Sequence, residues 1–187
     1  MKINWQNKEI IRIKIKNKHL SSFLFEDGSL SRLIQDKFKG KFHIDLINES
    51  WVTPMSYEKK VLSLRNNEIA FVRESYLNCN DKKLVYARTV IPKQTLKKKN
   101  QNLTRLGKKP LGEILFSSDK IYRDNIKYAR IPLSNELHSR AKGNYNISSG
   151  LYSRQSTFYI KNKPLLVFEV FLPDIIRLKK IYFLFLE

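Results

Sequence analysis

The chain is poor in the residues that most metal and cofactor sites require. Its 187 residues include one cysteine, Cys79, and three histidines, His19, His43 and His138, which are far apart and show no ligand spacing. A single cysteine excludes a disulfide framework and is typical of a reducing compartment. The motifs GxGxxG, CxxC, HExxH and GxSxG and the P-loop are also absent. Any chemistry must therefore use carboxylates, arginines and backbone amides.

Long apolar runs are lacking as well. The longest such run near the C-terminus, residues 181–186, is far shorter than the ~20 residues that a membrane-spanning helix needs. Residues 1–9 contain no apolar segment of the kind found in signal peptides. We therefore expect neither a transmembrane segment nor a secretory route. The length predicts one domain over residues 1–187, large enough to bury roughly two-thirds of its unfolded surface.

Acidic residues are scarce relative to basic ones. The chain has 17 Asp and Glu against 36 Lys and Arg, a net charge of +19. This charge is compatible with steering of anionic ligands, with nucleic-acid binding, and with the bias toward Lys, Asn and Ile expected of an AT-rich genome. The lysines occur as short scattered clusters, and no zinc finger, basic zipper or aromatic RNA-binding signature accompanies them. We therefore expect no specific nucleic-acid partner.

One acid stands in a segment that is otherwise apolar. Glu169 lies within residues 164–173, a run bounded by prolines that predicts a strand buried on at least one face. Carboxylates are almost never buried unpaired, and loss of water raises their pKa. Glu169 is therefore a candidate general acid or base, or an anchor for a ligand hydroxyl. A glutamate that faces solvent, or one tied to a structural arginine, explains the same pattern.

Periodicity and turn residues predict an α+β fold. The alternation of Ile11, Ile13 and Ile15 predicts a short strand. The other predicted elements are helices over residues 20–25 and 29–38, a strand over 42–47, strands over 69–78 and 84–91 joined by a turn at 79–82, an interrupted helix over 103–116, a strand over 121–131, a polar mobile loop over 132–150, and a closing hairpin of 151–160 and 164–172. Tight connections between successive strands favour a single-domain antiparallel sheet of about six strands with flanking helices.

Several blocks of this sequence resemble the chorismate lyase family. In the family's order they are FVRESYLNC (71–79), ARTVIP (87–92), LGKKPLGEILF (106–116), YRD (122–124), RQSTF (154–158), KPLL (163–166) and EVFLP (169–173). They cover most of residues 70–173, the best-matching core. EDGSLS (26–31) is similar to the family's first flap, and the residues before 40 match poorly. The chain is most similar in character to plastid-encoded members of red algae and their cyanobacterial relatives.

The resemblance implies an activity and a site. Chorismate lyase removes pyruvate from chorismate to leave 4-hydroxybenzoate, a quinone precursor, and it uses no metal and no cofactor. By resemblance, Arg73 binds the ring carboxylate with help from the backbone amide of Leu111. Glu169 and the backbone of Leu30 then address the opposite end, where the product hydroxyl lies. An arginine fork matches a carboxylate in a dry pocket. Glu169 would either donate a proton to the leaving enolpyruvate or orient the hydroxyl.

Strand alternation adds a geometric expectation for this site. Arg73 should share its sheet face with Phe71 and Ser75, and Glu169 should share its face with Val167 and Phe171. Their charged ends should face one enclosed cavity, roughly 6–10 Å apart across space for a benzene ring.

Three further arginines fall within matching blocks. We interpret Arg88, Arg123 and Arg154 as fold-stabilising or entrance residues.

A second function remains compatible with the same resemblance. The fold also serves as a ligand-sensing module in bacterial transcription regulators, which predicts a non-catalytic binding domain. Those sensors follow a winged helix–turn–helix domain, and the stretch before the first matching strand is too short for one. Arg73 and Glu169 together favour catalysis. We expect a monomer that is organelle-encoded and kept in the plastid stroma, with the bacterial cytoplasm as the alternative.

Overall fold

The computed structural model of the protein describes residues 2–38, 40–96, 98–124 and 126–177 and contains a seven-stranded antiparallel sheet. The strands are β1 (Phe42–Val52), β2 (Ala70–Cys79), β3 (Lys82–Pro92), β4 (Ile121–Arg123), β5 (Lys127–Ile131), β6 (Leu151–Ile160) and β7 (Lys163–Phe171). Their order is β1-β2-β3-β7-β6-β4, and β5 also pairs with β6. The predicted α+β antiparallel fold is confirmed, with seven strands among the described residues instead of about six.

Short helices connect and cover the strands. They are α1 (Lys8–Lys14), α2 (Lys18–Leu24), α3 (Leu30–Lys37), α4 (Ser56–Val61), α5 (Leu111–Leu115), α6 (Glu136–Lys142) and α7 (Asp174–Arg177), with a 3₁₀ helix over Lys98–Thr104. Within the described ranges, none of these helices has the length and apolar character needed to cross a bilayer. The apolar run at 181–186 lies outside the described residues.

Two hairpins form the centre of the sheet. β2 and β3 are joined by the turn residues Asn80 and Asp81, and β6 and β7 by Lys161 and Asn162, whose φ angles are 48° and 63°. Positive φ at both turn residues matches the right-handed twist of the paired strands. Because β3 pairs with β7, the two hairpins lie side by side. The predicted hairpins are therefore confirmed, and their adjacency places β2 and β7 two strands apart.

Side-chain alternation divides the core between the two faces of the sheet. On one face, α1, α2 and α3 pack in a cluster with Leu77 and Phe171, and α5 packs in a second cluster with Phe71 and Val167. On the other face, residues from α6 and from the end of α4 pack in a third cluster with strand residues such as Val72 and Phe168. Successive strand residues point to opposite faces, so each central strand supplies both sides.

The N-terminal segment was predicted wrongly. Residues 8–14 form helix α1 and not a strand. Ile11 and Ile15, four residues apart, contact the core, whereas Ile13 is 85 % exposed. A spacing of four places side chains on one helical face, so the apparent alternation was an accident of an isoleucine-rich segment.

Residues 121–150 also differ from their prediction. The single strand expected over 121–131 is divided into β4 and β5, which pair with different parts of β6. The expected loop over 132–150 contains helix α6, which begins after Asn135, whose side chain accepts a hydrogen bond from the backbone N–H of Leu137 at 2.9 Å. Leu137 and Ala141 are both buried, and their spacing of four is the helical signal that polar neighbours concealed.

A buried charge network lies on the face that α4 and α6 cover. Arg88 donates to Glu58 Oε1 at 2.7 Å and Oε2 at 2.9 Å, and to Glu74 Oε1 at 2.9 Å. The second Glu58 oxygen also accepts from the backbone N–H of Met55 at 2.9 Å. The predicted fold-stabilising role of Arg88 agrees with these contacts, because both carboxylates are buried and depend on it.

Arg88→Met is expected to lower the free energy of unfolding by about 3–5 kcal/mol, because two buried carboxylates would lose their cation. Urea denaturation followed by circular dichroism measures the change. Arg140→Met is the matched control, since Arg140 contacts the same Glu74 at 3.3 Å but is 41 % exposed. Equal, small losses in the two variants would contradict a structural role for the buried network.

Candidate active site

The four residues singled out in the sequence line one cavity. Arg73, Glu169, Leu30 and Leu111 all contribute to it, and its volume is about 50 Å³. It lies on one face of the sheet between the two apolar clusters of that face, since Leu77 from one and Val167 from the other both line it. The cavity thus has packed core on two sides and is partly open to solvent.

Short side chains form the sheet side of the cavity. Ser75 lines it from β2, the strand that carries Arg73. Ala87 and Thr89 line it from β3, which lies between β2 and the strand that carries Glu169. A larger residue at any of these positions would occupy the space over the sheet. The open volume therefore follows from the sequence of the central strands.

Two helix starts form the opposite side of the cavity. Leu30 is the first residue of α3, after Ser29, and Leu111 is the first residue of α5, after Pro110. The first backbone N–H groups of a helix have no acceptor within the helix. The two starts adjoin, because a Cβ placed on Gly112 would lie 2.7 Å from Ser29 Oγ. Both predicted backbone donors are therefore first-turn amides.

Arg73 is held in a fixed orientation. Its Nε donates to Glu49 Oε1 at 3.1 Å, and its Nη2 donates to the carbonyl oxygens of Gly107 at 2.9 Å and Lys109 at 3.2 Å. Nη1 donates to Ser75 Oγ at 3.3 Å. A guanidinium has five N–H donors, so the contacts of the described structure leave one N–H on Nη1. Arg73 is 4 % exposed, and burial lowers its pKa against the opposing effect of Glu49.

The sheet register sets the separation of Arg73 and Glu169. Ser75 is opposite Ala87, and Ala87 is opposite Glu169, so the two site residues lie on strands two positions apart. Strands lie about 4.8 Å apart, which gives roughly 10 Å between the two backbones across the sheet. Arg73 lines the cavity with Ser75, and Glu169 lines it with Val167. Phe71 and Phe171 pack on the same face, so the predicted sharing of faces is confirmed.

Glu169 is bound by an arginine from the neighbouring strand. Arg154, directly opposite on β6, donates its Nε to Glu169 Oε2 and its Nη2 to Oε1 at 3.0 Å. Arg154 also donates its Nη1 to the carbonyl oxygens of Glu26 and, at 3.5 Å, Phe23. The same guanidinium thus ties Glu169 to the chain between α2 and α3. Glu169 is thus tied to an arginine, as one interpretation of its sequence position predicts, and it also lines the cavity.

The pKa of Glu169 differs from the sequence-based expectation that burial would raise it. Burial does raise the pKa of Glu169, but the charge and hydrogen bonds of Arg154 and the charge of Arg123 together lower it below its ordinary value of 4.5. Glu169 is therefore a carboxylate near neutral pH. It is an acceptor in the unliganded site and not a stored proton donor.

This lowered pKa has a consequence for stability. A carboxyl whose pKa is lower in the folded than in the unfolded chain stabilises the fold above pH 4.5, and this contribution is lost as the pH falls through the folded pKa. The free energy of unfolding of the protein should therefore exceed that of Glu169→Gln at pH 7, and the difference should shrink below pH 4.5. Urea titrations from pH 7 to pH 3 test this. A difference that stays constant over the range would contradict the paired carboxylate.

Two arginines line the cavity that the sequence analysis did not assign to the site. Arg123 and Arg154 line the cavity, although they were interpreted as fold-stabilising or entrance residues. Arg154 fulfils the fold-stabilising part as well, since it is 1 % exposed and joins three segments. The sequence contained a signal for the contact between Arg154 and Glu169. If β6 and β7 are paired with a two-residue turn between them, Arg154 is directly opposite Glu169.

The cavity is positively charged. Its ionisable lining residues in the described structure are Arg73, Arg123, Arg154 and Glu169. Glu49 offsets part of the Arg73 charge from outside the lining. Positive charge exceeds negative by one even when Glu49 is counted, and the low exposure of Arg73 and Arg154 strengthens its attraction for anions. In the part of the chain that the structure describes, no group of three or more His, Cys, Asp and Glu residues is arranged to hold a metal ion.

An antiparallel sheet with a cavity lined by arginines is typical of a protein that binds a small anionic molecule. Comparison with known sequences is more specific, because residues 1–181 match the family described as chorismate lyase. The chain belongs to the chorismate lyase family.

Curated relatives agree with this assignment. The protein is 37 % identical over 157 residues to the "probable chorismate pyruvate-lyase" of Nitrosomonas europaea, which covers 83 % of this chain and 88 % of the relative. It is 35 % identical over 159 residues to the protein of the same name in Methylococcus capsulatus, covering 84 % of this chain and 96 % of the relative. Both relatives are bacterial.

Solved structures share the fold at low sequence identity. The effector domain of PhnF from Mycobacterium smegmatis superposes with a TM-score of 0.55 at 12 % identity, covering 79 % of this chain and 90 % of that one. A Staphylococcus aureus gene product, SA0254, gives a TM-score of 0.54 at 18 % identity with the same coverages. This likeness concerns the fold alone.

Proposed function

We propose that the protein eliminates pyruvate from chorismate and leaves 4-hydroxybenzoate for quinone biosynthesis. Membership of the chorismate lyase family supports the reaction. The observation that carries the proposal is the meeting of Arg73, Leu111, Leu30 and Glu169 at one cavity. These residues come from four different elements, and the sequence resemblance had assigned each of them to the same ligand.

The charge of the cavity suits this substrate. Chorismate carries two carboxylates, and three arginines against one glutamate line the cavity. Binding of a dianion therefore replaces the lost solvation of the buried cations with ion pairs. The short side chains of β2 and β3 place the ring above the sheet. The cavity of about 50 Å³ has to widen on binding, since a cavity that holds a benzene ring has a volume of about 150 Å³.

Arg73 binds the ring carboxylate in this proposal. Its orientation is fixed by Glu49 and by two carbonyl oxygens, so the remaining N–H on Nη1 is available for one carboxylate oxygen. The backbone N–H of Leu111 supplies a second donor for the same group. A preset arginine loses little side-chain entropy on binding, which favours affinity.

Glu169 acts at the other end of the ring. As a carboxylate it accepts a hydrogen bond from the C4 hydroxyl, and the resemblance assigns the backbone of Leu30 to the same end. Because its pKa is lowered, Glu169 is deprotonated when the reaction begins. It first takes the hydrogen bonded to ring carbon C4 as a proton and then donates this proton to the leaving enolpyruvate. Glu169 thus acts as a base before it acts as an acid.

The reaction is balanced without any co-reactant. The bond between C3 and the ether oxygen breaks, and its electron pair leaves with enolpyruvate. The proton lost from C4 allows the ring to become aromatic, and one proton is added to the methylene carbon of enolpyruvate to give pyruvate. Since aromatisation drives the step, the protein has to orient the ether and carry one proton.

The test is incubation of the purified protein with chorismate. Liquid chromatography should show 4-hydroxybenzoate and pyruvate appearing in equal amounts, at a rate proportional to protein and above that of buffer alone. A folded protein that binds 4-hydroxybenzoate but releases neither product from chorismate would favour the non-catalytic binding domain instead.

The setting of the reaction is part of the proposal. In this proposal the protein acts as a monomer and has no specific nucleic-acid partner. The bacterial origin of the relatives favours the bacterial cytoplasm over the plastid stroma.

A further inference from the structure

Arg123 is a cation of low exposure with mostly neutral partners. It extends from β4, is 11 % exposed, and donates through Nε and Nη2 to Ser156 Oγ at 2.9 and 2.6 Å. Its Nη1 donates to the carbonyl oxygen of Asp27 at 2.9 Å. The carboxylate nearest to it among the described contacts is Glu169, at 4.0 Å. Hydroxyl and carbonyl oxygens satisfy its hydrogen bonds but do not neutralise its charge.

Glu169 is already engaged with a second guanidinium. Arg154 makes a bidentate contact with it, so two buried arginines share a single carboxylate. Placing a charge away from water without a counter-charge is costly. The pKa of Arg123 reflects this, since burial and the neighbouring charge of Arg154 lower it to about 10. An anionic group bound at Arg123 would relieve the imbalance.

The surroundings of Arg123 locate such a group. Its guanidinium lies over the rings of Phe158 and Phe116, at 5.2 and 5.9 Å from their centroids. Both rings and Arg123 line the cavity. Arg123 is thus fixed at the Glu169 end of the cavity, because β4 lies four strand positions from β2, which carries Arg73. Two of its N–H donors have no described acceptor within hydrogen-bond distance.

We propose that Arg123 binds the enolpyruvyl carboxylate of the substrate, the carboxylate that leaves with pyruvate. The inference rests on the proposed function, which places the hydroxyl and the ether at the Glu169 end and the ring carboxylate at Arg73. Arg73 therefore recognises a group that substrate and product share, whereas Arg123 recognises a group that only the substrate carries. Selectivity for substrate over product resides at Arg123.

Two stable aromatic ligands separate these roles. One is 3-(carboxymethoxy)-4-hydroxybenzoate, which has the ring carboxylate, the hydroxyl and an ether-linked carboxylate. The other is 3-ethoxy-4-hydroxybenzoate, which has nearly the same shape without the second carboxylate. Calorimetric titration gives the dissociation constant of each for the protein, Arg123→Gln and Arg123→Lys, and chorismate turnover gives kcat/KM for the same three proteins.

Arg123→Gln should weaken binding of 3-(carboxymethoxy)-4-hydroxybenzoate, the dianion, about 10- to 100-fold. The same substitution should change binding of 3-ethoxy-4-hydroxybenzoate less than threefold. It should lower kcat/KM for chorismate by about the same factor as the affinity for the dianion. Arg123→Lys should recover part of the loss, because it restores the charge. Ser156→Ala is the structural control: it removes a partner of Arg123 but not its charge, and should leave the ratio of the two dissociation constants within threefold of the unmodified value.

The outcomes distinguish this inference from the proposed function. Equal weakening of both ligands in Arg123→Gln, or no weakening of either, would overturn the role of Arg123. The same holds if the unmodified protein binds the two ligands equally or binds neither. A protein that prefers the dianion through Arg123 but converts no chorismate would retain the binding inference and overturn the lyase proposal.

Discussion

Glu169→Gln is expected to lower kcat for chorismate by about 10²–10⁴, because glutamine keeps the shape of the side chain but cannot carry a proton between ring and leaving group. Binding of 4-hydroxybenzoate should change much less, since the amide can still accept from the hydroxyl. Steady-state kinetics and calorimetry with the same protein preparation measure both effects. If kcat and the affinity for 4-hydroxybenzoate both fall modestly, Glu169 only orients the hydroxyl. Unaltered turnover would exclude both the proton-transfer role and the orienting role.

Glu74→Gln is the matched control for that substitution. Glu74 is also a buried carboxylate paired with an arginine, and it follows Arg73 directly in β2, but it lies on the opposite face of the sheet. We expect it to lower the free energy of unfolding while kcat of the folded protein stays within a few-fold. A large loss of kcat in both variants would mean that Glu169 acts through the fold.

Arg73→Ala is expected to weaken chorismate and 4-hydroxybenzoate alike, since both carry the ring carboxylate. Removal of a buried charge-assisted pair costs roughly 2–5 kcal/mol of binding, or about 30- to 5,000-fold in the dissociation constant. Fluorescence or calorimetric titration with 4-hydroxybenzoate measures the loss directly.

Arg73→Lys refines the same experiment. Lysine keeps the charge, but it cannot contact Glu49 and the carbonyl oxygens of Gly107 and Lys109 in the fixed planar arrangement of a guanidinium. Its affinity should lie between those of the unmodified protein and Arg73→Ala. If 4-hydroxybenzoate binds all three proteins equally, the ring carboxylate does not bind at Arg73.

Much of the fold was predictable because it is encoded locally. The hairpins around Asn80 and around Asn162 follow from turn residues between alternating strands, and Ser29 marks the start of α3. Helices α1 and α6, in segments predicted as a strand and a loop, are short helices whose burial depends on distant strands. A window of seven residues carries little periodic signal, so tertiary packing decided between strand, loop and helix.

The site was predictable only as far as single residues. Glu169 could be found because a carboxylate in an apolar strand is unusual, and its cavity partners were suggested by resemblance. The contact between Arg154 and Glu169 depends on the register of β6 against β7. The approach of Arg123 to Glu169 depends on the position of β4 at the edge of the same sheet. Net changes in pKa depend on these pairings, which is why burial alone gave the wrong direction for Glu169.

The contacts of Arg154 with the carbonyl oxygens of Phe23 and Glu26 join residues 131 and 128 positions apart in the chain. Contacts between such distant residues require the closure of a long loop, and they form late relative to hairpins and single helices. The cavity therefore has no counterpart in any fragment that lacks either of these two regions. Assembly of the site coincides with the slow, non-local stage of folding, so recovery of ligand binding after denaturation reports on the completed tertiary structure and not on the secondary structure that precedes it.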